Sequence, residues 1–328
     1  MTLQKLTIGS RGSQLALYQA NWVKAQLKQQ HPNLLIAIEI IKTSGDVIVD
    51  APLSKIGGKG VFTKEIEDAL LAGKIDLAVH SMKDLPAILP EGLFLGAVSL
   101  REDVRDALLS NQFENIDQLP AGARVGTSSL RRQSQLLLIR NDLQMKDLRG
   151  NLGTRIRKLD EGQYDAIVLA CAGLVRLGLG YRIRQRIPID QLCPAVGQGA
   201  LGIEVRQGDA FVLEVLKAIN DPEAALAVTA ERTFLRSLGG GCQVPIAAHA
   251  WVDHQQLLMI GVVADLDGTS VFRSQDQSPI GDAVQLGNRL GEKLLDMGAR
   301  QIVDRISAME LRNLSASNFR LLPETGKL

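Results

Sequence analysis

The chain has 328 residues, of which 45% are hydrophobic and 22% charged, and its formal net charge is only +1. That length exceeds what one ordinary hydrophobic core organises, so we expect two or three domains of a soluble α/β protein. No segment is apolar enough to predict a membrane span, and the low aromatic content, 4%, argues against a surface that stacks nucleic-acid bases.

The three cysteines, Cys171, Cys193 and Cys242, are an odd number at wide spacing and do not indicate a disulfide framework. The first residues lack the long apolar core of a signal peptide. Both observations favour a cytoplasmic protein, in which a lone cysteine stays a thiol or becomes a catalytic or covalently linked residue.

Strands and helices alternate through the first two thirds of the chain, which predicts parallel sheets with ligands at the strand carboxyl ends. In the first unit we expect strands at residues 6–8, 34–42 and 75–80, and helices at 15–27 and 64–72. In the second unit we expect strands at 124–126, around 147–148 and at 164–170, and helices from 129 to about 140 and from 151 onwards. A further strand at 201–205 could return to the first unit.

A third unit begins at Asp221-Pro222-Glu223, where proline suits a helix start. We expect a helix at 224–238, a hairpin around Asp267-Gly268 between strands 257–264 and 270–274, and a last helix at about 283–297. The remaining tail is uninformative.

Positive charge is concentrated in one region of the chain. Eleven of the 23 arginines lie between Arg124 and Arg186, where thirteen basic residues accompany five acidic ones. Arginine suits planar partners that accept two hydrogen bonds, such as carboxylates and phosphates. The pattern favours a site for a localised polyanion, although any single arginine could simply lie on a solvated helical face.

Four segments combine the end of a strand, a helix start, and arginine or hydroxyl donors. Such a segment can bind an anion through backbone N–H groups and the helix dipole together. One of them alone would look like an ordinary helix cap, but four along one chain indicate a cleft for several anions. The segments are residues 9–13, 126–132, 149–155 and 172–176.

Cys242 follows three glycines, Gly239, Gly240 and Gly241, just past a predicted helix, and Pro245 stiffens the chain beyond it. Because glycine has no side chain, a bulky group could lie against the backbone near the thiol. This pattern is typical of a point of covalent attachment, but a helix C-cap followed by a buried cysteine fits the segment equally well.

Asp84 ends the run from Val79 to Asp84, where a parallel strand would deliver it to the cleft. A carboxylate among arginines can meet developing positive charge or relay a proton. An ion pair with a neighbouring cation is the alternative. His80, in the same run, is better interpreted as a core histidine.

Other patterns support neither a nucleotide nor a metal. Residues 55–60 suggest a mobile lid, but Leu53 and Gly60 break the pattern of a phosphate-binding loop. The glycines of residues 197–202 precede a strand, unlike those of a dinucleotide-binding loop. The histidines and cysteines lack zinc-binding spacing, so we predict no metal.

Taken together, these residues resemble the porphobilinogen deaminase family. The resemblance extends from near the start of the chain to about residue 250, in segments too specific and too well ordered for chance. The segments are residues 8–15, 43–46, 58–65, 79–84, 101–106, 125–132, 148–155, 164–178, 194–202, 231–232 and 240–245.

The resemblance implies two α/β domains like those of periplasmic binding proteins, with a hinged cleft, plus a small α+β third domain. We assign residues 1–99 with 200–217 to domain 1, which carries the active-site cleft, and residues 105–193 to domain 2, the arginine-rich wall. Residues 222–306 are assigned to domain 3, which bears the Cys242 loop, and residues 307–328 to a tail.

The resemblance also implies hydroxymethylbilane synthase activity, a transferase reaction of tetrapyrrole and haem biosynthesis. Four porphobilinogen molecules would be joined head to tail, with loss of ammonia, onto a dipyrromethane cofactor that Cys242 holds through a thioether. Water would then release the linear tetrapyrrole. The partners are then porphobilinogen and the growing polypyrrole, with no nucleic acid and no membrane, and the family leads us to expect a monomer.

The roles of single residues follow from the same resemblance. Asp84 is the predicted catalytic residue, which hydrogen-bonds pyrrole N–H groups, stabilises the cationic azafulvene and assists proton transfer. The residues expected to hold the cofactor are Cys242, Lys83, Ser129, Arg131, Arg132 and Arg155. Those expected to bind substrate are Arg11, Ser13, Ser81, Thr127, Arg149, Arg176 and Gln198. A lid is expected to contain Lys55, Lys59 and Phe62, while Cys171 and Cys193 are treated as packing residues.

The rival class is a non-enzymatic two-domain receptor for a polycarboxylate ligand. It would explain the paired α/β units and the arginines. It would not explain the glycine-flanked Cys242, and the sequence has neither a signal peptide nor a DNA-reading helix pair.

Overall fold

The computed structural model describes residues 4–47, 61–239 and 244–319. They form two five-stranded mixed sheets and one three-stranded antiparallel sheet, each with its own buried hydrophobic core. The predicted architecture of two α/β domains and a small α+β domain is therefore confirmed.

Domain 1 is built on a sheet whose strands, numbered in chain order, are β1 (Lys5–Ser10), β2 (Leu35–Ile40), β3 (Leu77–Ser81), β4 (Leu93–Val98) and β10 (Leu201–Arg206). Its helices are α1 (Gln14–Gln30), α2 (Ser44–Val47), α3 (Lys64–Leu71) and α7 (Ala210–Leu216). The strand order is β2-β1-β3-β10-β4. In α1, Ala20, Val23 and Leu27 are buried at helical spacing against this sheet, so the apolar pattern fixes the face that the helix presents to the core.

Domain 2 repeats this arrangement with the strands β5 (Asp106–Leu109), β6 (Arg124–Gly126), β7 (Gln144–Lys146), β8 (Ala166–Ala170) and β9 (Gln185–Ile187). Its helices are α4 (Leu130–Ile139), α5 (Leu152–Asp160) and α6 (Cys171–Arg176). The order β7-β6-β8-β5-β9 matches that of domain 1 position by position. In both sheets the fourth strand of the order runs antiparallel to its neighbours.

The prediction of purely parallel sheets is wrong for those fourth strands, β10 and β5. The chain reaches each of them by crossing from the other domain, along residues 99–105 or residues 188–200, instead of through a helix on the same sheet. A strand entered in this way can run antiparallel, because no crossover helix has returned the chain to the starting edge.

The strand expected around residues 147–148 is also displaced, since β7 ends at Lys146. Leu148 is buried, but it lies in a loop whose backbone N–H and carbonyl both hydrogen-bond the Ser128 hydroxyl, at 3.0 and 3.1 Å. A buried loop residue therefore produced the apolar signal that suggested a strand.

Domain 3 packs helices on one face of a meander of β11 (Ile246–Asp253), β12 (Gln256–Ala264) and β13 (Val271–Pro279). Its helices are α8 (Pro222–Ser237), α9 (Ala283–Leu294) and α10 (Arg300–Phe319), with a kink between the last two at Gly298, whose φ is +120°. The predicted hairpin around Asp267-Gly268 is confirmed. No element was predicted at α10, although Ile302, Val303 and Ile306 belong to the buried core.

Short 3-10 helices complete the secondary structure at Met82–Asp84, Gly180–Arg182 and Ile280–Asp282. Within the described ranges, no helix is both long enough and apolar enough to cross a membrane.

Glu231 of α8 fastens the segments that cross between domains 1 and 2 to domain 3. Its fully buried carboxylate accepts hydrogen bonds from the Arg101 guanidinium at 2.7 and 3.1 Å and from the Gly197 backbone N–H at 2.6 Å. A further bond, 2.7 Å long, comes from the N–H of Ala250 in β11. Arg101 lies on one crossing segment and Gly197 on the other, so a single carboxylate holds both beside domain 3.

Candidate active site

The turn at Met82–Asp84 follows β3 and presents Lys83 and Asp84 on its exposed side. Met82 anchors the turn, because it is 1% exposed and its N–H donates to the Ala200 carbonyl at 3.0 Å. Gly197, with φ of +72°, packs so closely that a side-chain carbon there would lie 2.3 Å from Met82 Cγ. With Met82 fixed inside, the next two side chains are left for the cleft.

A pocket open to solvent lies beside this turn. Its lining includes the predicted site residues Arg11, Ser13, Phe62, Ser81 and Asp84. The structure therefore brings together, at the carboxyl ends of β1 and β3, residues that lie far apart in the sequence.

Two hydroxyl groups of this pocket already have protein partners. Ser13 caps α1 by accepting a hydrogen bond from the Ala16 N–H at 3.3 Å. Ser81 accepts one from the Gln19 side-chain amide at 2.8 Å. Gln19 had no predicted role from the sequence, although a buried amide on the apolar face of α1 is a detectable signal.

His80 is a core histidine, as predicted. It is buried, and its Nε2 lies 3.1 Å from the carboxylate of Glu204, which is fully buried on β10. The pair joins neighbouring strands behind the pocket.

Arg131 and Arg132 lie in the first turn of α4, where both are almost fully buried against Asp106 of β5. Arg132 donates to Asp106 Oδ1 from Nη2 at 2.7 Å and from Nε at 3.1 Å, and Arg131 Nη2 lies 2.8 Å from Oδ2. Arg131 also donates to the Cys193 carbonyl at 2.7 Å. Both guanidinium groups are therefore held in fixed orientations.

Asp106 is another residue that the sequence prediction missed. Burial alone would raise its pKa, but the two arginines hold that pKa far below its usual range, so the carboxylate stays ionised. One negative charge faces two arginines, which leaves the cluster positive. A lone aspartate at the start of the otherwise apolar strand β5 was the available signal.

Gln198 is 1% exposed, and its amide donates to the Val104 carbonyl at 2.7 Å and to Asp106 at 3.0 Å. It therefore braces the two crossing segments in this structure. A role in binding substrate, expected from the resemblance, stays a prediction.

Charges of domains 1 and 2 act on one another across the cleft. Enclosure by the cleft walls lowers the pKa of Lys83 to about 8, and repulsion from Arg132 and Arg131 adds to the effect. Lys83 is nevertheless open to solvent, so both walls surround it without sealing it off. Burial likewise lowers the pKa of Arg155 to about 10, with repulsion from Arg132 and an opposing attraction from Asp84.

The remaining predicted residues of domain 2 lie around the starts of α4 and α5. Arg155 donates from Nε to the Gly150 carbonyl at 2.8 Å, and Arg149 lies in the loop before α5. Thr127 is buried and its hydroxyl accepts from the N–H of Ser129, the N-cap of α4, at 3.3 Å.

Arg176 differs from the sequence prediction in its position on a helix. The segment 172–176 was expected to expose a helix start, but α6 begins at Cys171 and Arg176 lies in its last turn. The chain enters α6 directly from β8, so the segment does follow a strand at a helix start, and Arg176 lies at the other end of that short helix. Arg176 Nη2 instead donates to the Gly199 carbonyl at 2.5 Å.

Cys242, Lys55 and Lys59 lie outside the described residues, so their predicted roles stay predictions. Cys171 and Cys193 are both fully buried, as expected of packing residues. Burial raises the pKa of each of these two thiols to about 12, which makes them unreactive at neutral pH.

Fold and site define a class of protein: one with two α/β domains whose cleft sets a carboxylate and a lysine against a buried cluster of arginines. A family model described as "Porphobilinogen deaminase, dipyromethane cofactor binding domain" matches residues 6–214. A second, "Porphobilinogen deaminase, C-terminal domain", matches residues 225–296. The chain belongs to the porphobilinogen deaminase family.

Curated relatives agree with this assignment. A porphobilinogen deaminase of Desulforudis audaxviator is 53% identical over 305 residues, which cover 93% of this chain and 99% of the relative. One of Syntrophotalea carbinolica is 52% identical over 303 residues, or 92% of this chain and 96% of the relative. Family membership disfavours the rival receptor class.

Among solved structures, a periplasmic substrate-binding protein of an ABC transporter from Coxiella burnetii is similar over 69% of this chain and 96% of its own. Its sequence identity is 14% and the TM-score 0.42, a likeness too weak to carry an argument.

Proposed function

We propose that this chain is a hydroxymethylbilane synthase, which joins four porphobilinogen molecules head to tail on a covalently held dipyrromethane and releases the linear tetrapyrrole. One observation carries the proposal beyond family membership. Lys83 of domain 1 lies within electrostatic reach of Arg132 in domain 2, and Asp84 of domain 1 lies within electrostatic reach of Arg155. Such a cleft can hold an anionic chain while one carboxylate serves its reacting end.

The dipyrromethane group fits the donor set of the cleft. Each of its two rings carries an acetate and a propionate, so it needs several cations close together. Lys83, Arg131, Arg132 and Arg155 supply four, and the buried Asp106 cancels only part of that charge. We assign these four residues, with Ser129, to its binding and Cys242 to its attachment. When bound, the group supplies the nucleophilic ring carbon to which substrate is joined.

Arg11 would bind a carboxylate of the incoming porphobilinogen, since it is the arginine in the pocket that contains Asp84. Ser13, Ser81 and Gln19 line the same pocket and would orient the ring. We assign further carboxylate contacts of the growing chain to Thr127, Arg149, Arg176 and Gln198. The Lys55, Lys59 and Phe62 segment would cover the pocket.

Asp84 would act on the atoms that react. The C–N bond of the substrate aminomethyl group breaks, ammonia leaves, and the Asp84 carboxylate accepts a hydrogen bond from the N–H of the resulting cationic pyrrole. After the new C–C bond has formed, the proton displaced from the ring carbon passes to Asp84. An ionised carboxylate suits both tasks, because it stabilises positive charge and can accept a proton.

The same proposal extends to the setting of the enzyme. We infer a cytoplasmic monomer with porphobilinogen and the polypyrrole as its partners. The boundaries 1–99 with 200–217, 105–193 and 222–306 are proposed as the three domains, with 307–328 as a tail.

The decisive assay measures ammonia release and bound mass after porphobilinogen is added to the purified protein. A synthase should release one ammonia for each substrate consumed and gain covalent mass in steps of one pyrrole unit. Reversible binding of porphobilinogen with neither ammonia nor a mass step would support the receptor class instead.

A further inference from the structure

Arg11, the pocket arginine of domain 1, is held along one edge by Asp46. Its Nη2 lies 2.5 Å from Asp46 Oδ1, and its Nε lies 3.2 and 3.3 Å from the two carboxylate oxygens. This is the side-on, two-pronged geometry that fixes the plane of a guanidinium group and cancels part of its charge. The partner comes from α2 and not from the strand–helix loop that carries Arg11.

Asp46 is itself anchored independently of Arg11. Its Oδ2 accepts hydrogen bonds from the Thr43 hydroxyl at 2.8 Å and from the Thr43 N–H at 3.4 Å, and Thr43 is 1% exposed. The backbone next to Asp46 is also held in place, because the Gly45 N–H donates to the Val61 carbonyl at 2.9 Å. The carboxylate is therefore placed before any ligand arrives.

Phe62 covers one face of the same guanidinium group, with its ring centroid 4.2 Å from Arg11 Cζ. The ring lies so close to Gly45 that a side-chain carbon there would approach it to 2.1 Å. Arg11 is thus fixed by a carboxylate on one edge and by an aromatic ring on one face, from the chain on either side of residues 48–60.

The other edge of the guanidinium group, which includes Nη1, has no hydrogen-bond acceptor among the residues that the structure describes. Arg11 lines the pocket with Ser13, Ser81 and Asp84. An arginine whose side edge is occupied and whose plane is fixed offers its end-on edge to a second carboxylate with little loss of rotamer freedom.

We propose that Asp46 is a positioning residue for substrate recognition, which, with Phe62, aims the outer edge of Arg11 at one carboxylate of porphobilinogen. The inference rests on the proposed function, since porphobilinogen supplies that carboxylate. It assigns Asp46 a cooperative role: the aspartate orients Arg11 and does not compete with substrate for it.

The test is a double-mutant cycle on the cofactor-loaded enzyme. Asp46→Asn should raise KM for porphobilinogen roughly tenfold, the loss expected of one charge-assisted contact, while kcat stays within about threefold. In an Arg11→Ala background the same change should leave KM within about twofold, because Asp46 acts only through Arg11. A lower KM in Asp46→Asn, or equal effects in both backgrounds, would overturn the proposal.

The matched control is Asp142→Asn. Asp142 binds Arg140 with the same two-pronged geometry, at 2.7 Å for each contact, at a surface site of domain 2. That variant should leave KM unchanged. An increase as large as that of Asp46→Asn would show a general charge effect and refute the positioning role.

A second variant keeps the inference testable if Asp46→Asn folds poorly. Phe62→Leu should also raise KM by severalfold, and again only when Arg11 is present; an unchanged KM would count against the fixed guanidinium. Wild-type turnover separates the two proposals. No ammonia release from the wild type contradicts the proposed function, whereas normal wild-type turnover with an unchanged KM in Asp46→Asn contradicts only this inference.

Discussion

The buried carboxylate of Asp106 fixes the orientation of two arginines that would otherwise repel each other. The cost of burying a charge is offset only when its partners are well placed, as the contacts of Arg131 and Arg132 are. The cluster remains positive beside Lys83, whose pKa is lowered to about 8. The arginine cluster and Lys83 therefore supply the positive charge that attracts the carboxylates of the ligand. Asp84 supplies the protein carboxylate that we assign to the reaction.

Asp84→Asn should abolish most turnover while binding persists, because the change removes charge and keeps the shape of the side chain. General acid–base catalysis contributes about a hundredfold or more, so kcat should fall at least that far with KM within a few-fold. Steady-state kinetics on cofactor-loaded protein, with Asp142→Asn as the surface control, would measure this. Near-normal kcat in Asp84→Asn would refute the assigned role.

The pKa of Lys83 predicts a pH dependence of cofactor binding. Its ammonium group is charged below about pH 8 and loses the proton as pH rises through that value. Holding a cofactor carboxylate at Lys83 above that pH requires the uptake of a proton, so the rate at which protein lacking dipyrromethane becomes primed should fall by up to about tenfold per pH unit. Lys83→Arg, which stays charged, should flatten the profile between pH 8 and 9.5. Parallel profiles for the two proteins would contradict the role of Lys83.

At the scale of elements, the main connection between the domains is the one that Glu231 makes from α8 to both crossing segments. Its carboxylate is buried, which alone would raise its pKa, but Arg101 and His249 lower that pKa to about 2. The position of the site depends on these Glu231 contacts, because the turn that carries Asp84 packs against Gly197, and Glu231 binds Gly197.

Glu231→Gln should reduce the free energy of unfolding by about 3–5 kcal/mol, because Arg101 would keep a buried charge without its partner. The exposed Glu223→Gln on the same helix is the matched control and should cost under about 1 kcal/mol. Urea unfolding followed by circular dichroism would compare them.

The lowered pKa of Glu231 determines how its contribution to the free energy of unfolding changes with pH. A carboxylate whose pKa falls on folding stabilises the protein above its unfolded value, near 4.5, and loses that contribution as pH falls through about 2. The difference in free energy of unfolding between wild type and Glu231→Gln should therefore become smaller below pH 4.5. A difference that grows on acidification would contradict the stabilising role of the Glu231 carboxylate.

The sequence patterns predicted most elements by their local signals and failed where long-range packing decided. The apolar stripe of α1 and the turn at Asp267-Gly268 are local, and both were found. The direction of β5 and β10 depends on a crossing between domains that hydrophobic periodicity does not encode. Leu148 misled the strand assignment because burial in a loop and burial in a strand look alike in sequence.

At the scale of the whole molecule, two similar sheets face each other so that residues from both domains form one cleft. Resemblance to the family assigned roles to Arg11, Asp84 and Arg132. It gave no role to Asp46 or Asp106, whose partners lie 35 and 26 positions away. Pairing over such distances follows from the fold and not from any motif.

Covalent priming is the central claim for the whole chain, and intact mass spectrometry of the purified protein tests it most directly. Wild-type protein should exceed its sequence mass by two linked pyrroles, a difference that thiol reductants do not remove and that Cys242→Ser lacks. A wild-type mass equal to that of the bare sequence, even after incubation with porphobilinogen, would contradict the claim, as would an unchanged excess in Cys242→Ser.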